Sequence, residues 1–232
     1  SGLDFSHYKH STVTRRIQRR MMIGGVTSLS DYAQTLQDSE EERIALANDL
    51  LINVTCFFRD PAAWESLNQK VLEPMVRNAP LSEPLRMWVT GCATGEEVYS
   101  LAMLLHEQME NQGRQLDVKI FATDLDRDSL EKAAAGVYSE AISNDVPPDR
   151  LQKYFNKRGN QYHIVRPLRE MVIFACHNLI KDAPFTKMHL VTCRNVLIYL
   201  QAKLQQQVLS MLHFALRTSG TLFLGSAESV TD

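Results

Sequence analysis

A short apolar run in the middle of the sequence is followed by a glycine-bearing turn and an amphipathic helix. The apolar run spans residues 85–89, the turn reads GCATG at 91–95, and the helix is predicted over 96–110. A strand that leads through a tight turn into a helix is the first half of a βαβ unit, whose strands lie parallel. In open sheets of this kind, the turn after the first strand faces the ligand-binding crevice. The segment therefore predicts both a fold class and the place of a site.

Four further apolar runs alternate with predicted helices. The runs span residues 118–123, 172–176, 190–193 and 221–224, and the helices span 129–135 and 202–216. We therefore predict an α/β fold with a mostly parallel sheet covered on both faces. Residues 139–170 are polar and break the pattern. There we predict a helix followed by a small β-hairpin, inserted between the second and third strands.

The first 77 residues carry helical patterns and are predicted to form an N-terminal helical domain. Residues 78–84 hold two prolines and are the predicted linker, and residues 85–232 form the predicted sheet-containing domain. The chain opens with SGLD, without a Met or a signal-peptide pattern, which favours a piece cut from a longer protein.

Charge and composition disfavour several classes of protein. There are 25 Lys and Arg against 27 Asp and Glu, a net charge of −2, so global charge gives no reason to expect nucleic-acid binding. No apolar run approaches the roughly 18–20 residues that a membrane span needs, so we predict no membrane insertion. The four cysteines form no CxxC pair, which argues against a zinc site. We interpret them as reduced core thiols of a cytoplasmic protein.

The glycine turn differs from the common phosphate-binding loops. It has neither the GxGxxG spacing nor a Gly-Lys-Ser/Thr ending. Glu96 and Glu97 stand at the helix N-terminus, where a phosphate would require positive potential. Two interpretations remain open: the turn binds a cationic or neutral ligand, or it is a tight strand-to-helix connection that binds nothing.

Asp124 ends the second predicted strand, at the same edge of the sheet as the glycine turn. An acidic residue at this place can accept hydrogen bonds from both ribose hydroxyls of an adenosine. The alternative role is the N-cap of the next helix, which Asp126 or Asp128 could also fill. An adenosine that carries a cation and no phosphate satisfies both features, and S-adenosylmethionine is such a ligand.

A basic helix lies near the start of the chain. At about 100° per residue, Arg15, Arg16, Arg19 and Arg20 share one side of the helix predicted over 12–22. This side is a solvated face, a surface for an acidic protein partner, or a nucleic-acid contact. The net charge of −2 and the absence of interleaved aromatic residues disfavour nucleic acid.

Six short stretches, in this order along the chain, resemble the chemotaxis receptor methyltransferases (CheR family). They read NVTCFFRD at 53–60, GCATGEEVYS at 91–100, ATDLD at 122–126, HNL at 177–179, CRNVLIY at 193–199 and LGSAE at 224–228. The resemblance covers nearly the whole chain and implies a class I-like S-adenosylmethionine-dependent methyltransferase fold. It further implies methyl transfer to glutamate side chains of chemoreceptors, with S-adenosylhomocysteine as product and no metal.

The resemblance also implies roles for individual residues. The implied cofactor-binding residues are Asn53, Thr55, Arg59, Gly91, Glu97, Asp124, Asn178, Leu179, Arg194 and Asn195. Glu97 would lie near the methionyl amino group, Asp124 would hold the ribose, and residues 178–179 would surround the adenine. Arg59 and Tyr199 would lie near the transferable methyl group and are the implied catalytic residues.

The implied partners are the Glu-rich cytoplasmic helices of chemoreceptors, together with other signalling domains of the same chain. The receptor helices would suit the basic side formed by Arg15, Arg16, Arg19 and Arg20. The insert at 139–170 lacks the glycine-rich form of members that dock a receptor tail peptide, and five strands are predicted where this fold normally has seven. Two alternatives stay open. One is a cofactor-binding scaffold within a larger signalling protein. The other is a methyltransferase acting on nitrogen, for which the sequence offers no Asp/Asn-Pro-Pro-aromatic motif.

Overall fold

A computed structural model of the chain describes residues 5–6, 8–51 and 54–230. Its first part is helical, as predicted, and its helices are α1 His10–Ile23, α2 Leu29–Asp38, α3 Glu40–Leu50, α4 Pro61–Leu67 and α5 Glu73–Asn78. A π-helical turn, Asn68–Leu72, joins α4 to α5 without a break. Pro61 stands at the first position of α4, where its missing N–H costs no hydrogen bond.

The rest of the described chain alternates strands and helices. The strands are β1 Leu85–Thr90, β2 Val118–Asp124, β3 Val137–Ser139, β4 Phe155–Arg158, β5 Gln161–Ile164, β6 Val172–Cys176, β7 Met188–Cys193 and β8 Leu216–Leu224. The helices are α6 Glu96–Asn111, α7 Arg127–Ala135, α8 Pro148–Tyr154, α9 Arg166–Glu170 and α10 Ala202–Ala215. The predicted alternation of strands and helices is confirmed, with β3 and α9 as elements that the sequence analysis did not predict.

Five of these strands form one sheet in the order β6-β2-β1-β7-β8, and every neighbouring pair is parallel. The strand β1 is central, and Thr90 at its end pairs with Thr123 of β2 and with Cys193 of β7. The strands β2 and β6 lie on one side of β1, and the later strands β7 and β8 lie on its other side. Open parallel sheets bind ligands where the strand order reverses in this way, at the carboxyl ends of the strands.

The insert holds a second, antiparallel sheet in the order β3-β5-β4. The predicted helix and hairpin are confirmed as α8, β4 and β5, and the sheet gains a third strand, β3, which the sequence analysis did not predict. Gly136 ends α7 with a φ of 61° and turns the chain into β3. The Tyr138 ring then packs edge-on against Phe57, with ring centroids 5.0 Å apart. A strand of three residues is too short to show an alternating pattern in the sequence.

The helices α4 and α5 share the core of the central sheet. Leu72 and Val76 are fully buried in the same apolar cluster as Val89 of β1 and Leu101 of α6. The guanidinium of Arg114 also donates to the carbonyl oxygens of Val76 at 2.6 Å and of Ala79 at 2.5 Å. Residues on both sides of segment 78–84 are thus packed together. The domain bounds 1–77 and 85–232 stay predictions.

The four cysteines do not share one environment. Cys92 and Cys193 are buried and Cys56 is half-buried, but Cys176 is exposed. The prediction of a core thiol is wrong for Cys176 because it ends β6, which is an edge strand of the central sheet. Among the described helices, none combines the length and apolarity needed to cross a bilayer.

Candidate functional site

An open cleft with about 1040 Å³ of empty volume lies at the carboxyl ends of β1, β2 and β7. Of the residues predicted to bind cofactor or to act in catalysis, those that line it are Thr55, Arg59, Gly91, Glu97, Asp124, Asn178, Leu179, Arg194, Asn195 and Tyr199. Asn53, which was also predicted to bind cofactor, lies outside the described residues. The sequence therefore identified residues that the fold brings to one place from five separate stretches of chain.

The turn after β1 needs both of its glycines. Gly91 has a φ of 62° and Gly95 a φ of 94°, values that side chains rarely tolerate. A Cβ atom on Gly91 would lie 2.6 Å from Cγ2 of Val196, and one on Gly95 would lie 2.9 Å from Cβ of Ala133. Ala93, between them, also has a positive φ of 45°. The turn thus exposes backbone to the cleft at the start of α6.

Asp124 is held by the turn it faces. Its Oδ2 accepts a hydrogen bond of 2.8 Å from the Ala93 N–H, and its Oδ1 accepts one of 2.9 Å from the Asp126 N–H. The alternative role as helix cap is wrong, because the Asp126 side chain caps α7 by accepting from the Asp128 N–H. Burial raises the pKa of Asp124, opposed by these backbone hydrogen bonds. A carboxylate oxygen can accept more than one hydrogen bond, so both stay able to bind a ligand hydroxyl.

Glu97 places a second carboxylate in the cleft, from the first turn of α6. Its Oε1 accepts a 2.6 Å hydrogen bond from Oγ1 of Thr192, and its Oε2 lies 3.7 Å from Nη1 of Arg194. Burial raises the pKa of Glu97, while Arg194 and Thr192 act in the opposite direction. A half-buried carboxylate on the cleft wall favours a ligand with a positive charge.

The backbone around Arg59 is strained and tightly held. Phe58 and Asp60 flank it with positive φ values of 49° and 60°. The Phe58 N–H donates to Oγ of Ser100 at 3.0 Å, and the Arg59 carbonyl accepts from Nη2 of Arg194 at 2.9 Å. The Arg59 guanidinium donates to the Val54 carbonyl at 3.1 Å. Non-glycine residues in such conformations persist where the surrounding structure fixes them, and they concentrate at functional sites.

Arg194 lines the cleft, and its guanidinium binds groups of the protein that surround the cleft. The side chain is 1% exposed, and Nη2 also donates to Oδ2 of Asp60 at 3.0 Å. Its guanidinium carbon lies 4.7 Å from the ring centroid of Phe223 and 5.4 Å from that of Trp64. These contacts join the end of β7 to the segment before α4, and the predicted contact of Arg194 with a ligand stays a prediction.

The loop after β7 is held by Glu228, a residue for which the sequence analysis predicts no role. Asn195 has a φ of 59°, and its N–H donates to Oε2 of Glu228 at 2.9 Å. The Glu228 carboxylate also accepts from the N–H groups of Leu197 and Gly225, both at 2.8 Å. Glu228 lies in the LGSAE stretch, but nothing in that stretch indicates that its carboxylate holds a loop more than thirty residues away.

Two loops complete the cleft. The Asn178 Oδ1 accepts from the Ile180 N–H at 2.9 Å, and the Asn178 N–H donates to Oδ2 of Asp182 at 2.7 Å. These bonds fix the turn that presents Leu179. On the opposite side, Tyr8 lines the cleft from the segment before α1, a position for which the sequence contains no motif.

The basic side of α1 is less uniform than predicted. Arg15 and Arg19 are exposed and Arg16 is half-buried. Arg20 is not available as an open charge, because Nε and Nη2 bind the two oxygens of Glu42 on α3 at 2.9 Å and 2.6 Å. The prediction of four shared surface charges is therefore wrong for Arg20, whose partner lies on another helix.

Within the described ranges, no group of three or more His, Cys, Asp or Glu side chains is arranged to hold a metal ion.

Two family models match the chain. The CheR methyltransferase SAM-binding domain matches residues 53–232, and the CheR methyltransferase all-alpha domain matches residues 1–51. Together the two matches cover the residues that form the cleft, the central sheet and the helices before it.

Curated relatives align over almost the whole chain. Chemotaxis protein methyltransferase 2 of Vibrio cholerae serotype O1 is 34% identical over 100% of this chain and 82% of that protein. Chemotaxis protein methyltransferase 1 of Pseudomonas aeruginosa is also 34% identical, over 100% of this chain and 86% of that protein. An uncharacterized 104.1 kDa protein in the hypE 3′ region of Rhodobacter capsulatus is 46% identical over 98% of this chain. The chain spans only 24% of that larger protein.

Proposed function

The chain belongs to the CheR methyltransferase family, and we propose that it transfers the methyl group of S-adenosylmethionine to glutamate side chains of chemoreceptors. The observation that carries the proposal is one cleft that joins two half-buried carboxylates, Asp124 and Glu97, to Arg59 and Tyr199. Calorimetric titration with S-adenosylhomocysteine tests the cofactor half of the proposal. Absence of binding by the wild-type chain would contradict it.

The donor set of the cleft fits this cofactor. Asp124 offers carboxylate oxygens to the ribose hydroxyls, and Glu97 offers a negative charge to the methionyl ammonium group. Residues 178–179 line the same cleft and would surround the adenine. A diphosphate would meet the same two acids and be repelled, which favours an adenosine without phosphate.

The chemistry requires positioning rather than proton transfer. Bound S-adenosylmethionine supplies a methyl carbon on a positively charged sulfur, which a carboxylate oxygen attacks as the carbon–sulfur bond breaks, giving a methyl ester and S-adenosylhomocysteine. A glutamate with a pKa of about 4.3 is already ionised at neutral pH, so no residue of the chain has to remove a proton. No metal takes part in this scheme. Alignment of bound reactants can supply roughly 7–11 kcal/mol of the barrier.

Arg59 and Tyr199 are the residues that would provide this alignment. The guanidinium of Arg59 can hold the acceptor carboxylate through two parallel hydrogen bonds, and the fixed backbone on both sides of Arg59 limits how far that fork can move. Tyr199 would shape the methyl site with its ring. The walls of the cleft would keep competing water from the reaction.

We expect the affinity for S-adenosylhomocysteine to fall as the pH is lowered, because Glu97 must be ionised to bind the ammonium group. Since burial raises the pKa of Glu97 above its ordinary 4.5, the loss should begin at a higher pH than an exposed glutamate would give. Calorimetry over the acidic to neutral range measures this dependence. Glu97→Gln should bind roughly 10- to 150-fold more weakly at neutral pH and show a flatter pH profile. Identical pH profiles for the variant and the wild type would remove Glu97 from the ammonium site.

The receptor helices that carry methylated glutamates are acidic partners, and the exposed arginines of α1 suit them, Arg15 and also Arg19, which lies 3.5 Å from Asp49 Oδ1. We expect the double variant Arg15→Gln, Arg19→Gln to methylate receptor more slowly at low salt, because exposed charges of opposite sign accelerate encounter. The deficit should shrink as ionic strength rises. Initial rates measured against salt concentration test this expectation.

A matched control removes the same amount of charge elsewhere. Lys132→Gln with Lys203→Gln alters two exposed lysines that stand on α7 and α10 rather than on α1. This control should retain the wild-type rate at every salt concentration. If both double variants behave alike, the basic side of α1 is a solvated face and not a receptor surface.

We also propose a cytoplasmic location, because the receptor segments that would be methylated lie on that side of the membrane. The larger Rhodobacter protein, of which the chain spans 24%, supports the presence of further domains in the same polypeptide.

A further inference from the structure

We infer that Tyr8 is a cofactor-binding residue whose phenol hydroxyl hydrogen-bonds the ribose edge of S-adenosylmethionine beside Asp124. The inference rests on the cofactor named in the proposed function. It adds a contact from a segment that neither the motifs nor the resemblance assigns to the site.

The position of Tyr8 in the cleft is the first support. Tyr8 lines the same cleft as Asp124 and Tyr199, and the other lining residues that the structure describes come from position 50 or later in the chain. Tyr8 precedes α1, so the helical part of the molecule reaches the cofactor side through this residue as well as through the end of α3.

The backbone around Tyr8 is hydrogen-bonded to residues 199–201. Tyr8 forms an antiparallel bridge with Leu200, and the Lys9 N–H donates to the Tyr199 carbonyl at 2.8 Å. The side-chain amide of Gln201 donates to the carbonyl oxygens of Ser6 at 3.0 Å and Tyr8 at 3.1 Å. These bonds place Tyr8 directly beside the loop that carries Tyr199.

The surroundings of the phenol indicate what it faces. Burial raises the pKa of Tyr8, and the Asp124 carboxylate and the Tyr199 hydroxyl raise it further. The phenol is therefore neutral, and it lines the same cleft as Asp124 and Tyr199. Within the described part of the chain, its hydroxyl has no hydrogen-bond partner, so it remains available to a ligand. A ribose bound to Asp124 offers hydroxyl groups at that place.

Tyr8→Phe is the direct test, because it removes only the hydroxyl and keeps the ring. One neutral hydrogen bond corresponds to about 3- to 10-fold in affinity. Calorimetry should show S-adenosylhomocysteine binding weakened by that factor. Binding of 5′-methylthioadenosine, which has the ribose but no amino-acid part, should weaken by the same factor. Thermal unfolding of the ligand-free variant should match the wild type, while the ligand-induced rise in Tm becomes smaller.

Tyr32→Phe is the matched control. It removes a phenol hydroxyl of the same helical region, which donates to Oε1 of Glu42 at 2.7 Å and does not line the cleft. It should bind both ligands as tightly as the wild type.

The outcomes separate the inference from the proposed function. Wild-type affinity of Tyr8→Phe for both ligands would overturn the inference alone, and weakening confined to S-adenosylhomocysteine would place Tyr8 at the amino-acid part instead. A wild-type chain that binds neither ligand would overturn the inference and the cofactor assignment together. Weakened binding by Tyr8→Phe without any methylation of receptor glutamate would leave the inference standing and contradict the substrate.

Discussion

Replacing Asp124 with alanine should weaken S-adenosylhomocysteine binding by roughly 10- to 150-fold. A hydrogen bond to a charged group contributes about 1.5–3 kcal/mol, and the variant removes the acceptor for the ribose hydroxyls. It also leaves the N–H groups of Ala93 and Asp126 without their present acceptor, so the free energy of unfolding should fall as well. Calorimetric titration measures the first effect and thermal unfolding the second.

Asp126→Ala distinguishes a lost ligand contact from lost stability. The Asp126 carboxylate caps α7, accepting from the Asp128 N–H at 3.1 Å and from Oγ of Ser129 at 2.6 Å. Loss of such a cap costs about 0.5–2 kcal/mol of stability. The control should therefore be less stable than the wild type and yet bind S-adenosylhomocysteine normally. Equal affinities of Asp124→Ala and Asp126→Ala would remove Asp124 from the ribose site.

Arg59→Ala should lower the rate of methyl transfer on the order of 100-fold, while cofactor affinity changes far less. Misplacing a reactant by about 1 Å can cost a factor of this size, and we assign Arg59 to aligning the acceptor carboxylate with the methyl carbon. A group that acts mainly in the transition state lowers kcat more than it raises KM for the cofactor. Initial rates at varied S-adenosylmethionine, together with calorimetry, separate the two quantities.

Arg59→Lys sharpens this test. Lysine keeps the charge but replaces a planar fork with a single ammonium group. If two parallel hydrogen bonds align the acceptor, Arg59→Lys should lose most of the activity that Arg59→Ala loses. Near wild-type turnover of Arg59→Lys would mean that charge alone is required, and near wild-type turnover of Arg59→Ala would deprive Arg59 of its role.

The parts of the fold that were predictable are those whose signal is local. The order of strand, glycine turn and helix at 85–110 marks the centre of the sheet, because turn chemistry and apolar runs follow directly from adjacent residues. Asp124 was identified for the same reason, since the end of a strand and its position beside the first turn are both readable from the sequence. The strand β3 was not predicted, because three residues leave no period to detect.

The parts that were missed depend on contacts between distant segments. Arg20 looks like Arg15 and Arg19 on a helical projection, and only the packing of α1 on α3 shows that Glu42 binds it. Glu228 holds the loop at Asn195 across the end of the sheet, and Tyr8 enters the cleft through a bridge to Leu200. No local pattern encodes such pairs, because each depends on how complete elements come together.

Esterification of receptor glutamate can be tested directly by transferring a labelled methyl group from S-adenosylmethionine to a chemoreceptor. The labelled receptor is then treated with alkali. A glutamate methyl ester hydrolyses in alkali and releases methanol, whereas a methyl group on nitrogen stays attached. We expect the receptor to carry label that alkali releases as volatile methanol, and we expect Arg59→Ala to transfer that label far more slowly. Alkali-stable label would contradict esterification of glutamate, and binding of S-adenosylhomocysteine without any transfer would contradict catalysis and indicate a cofactor-binding scaffold.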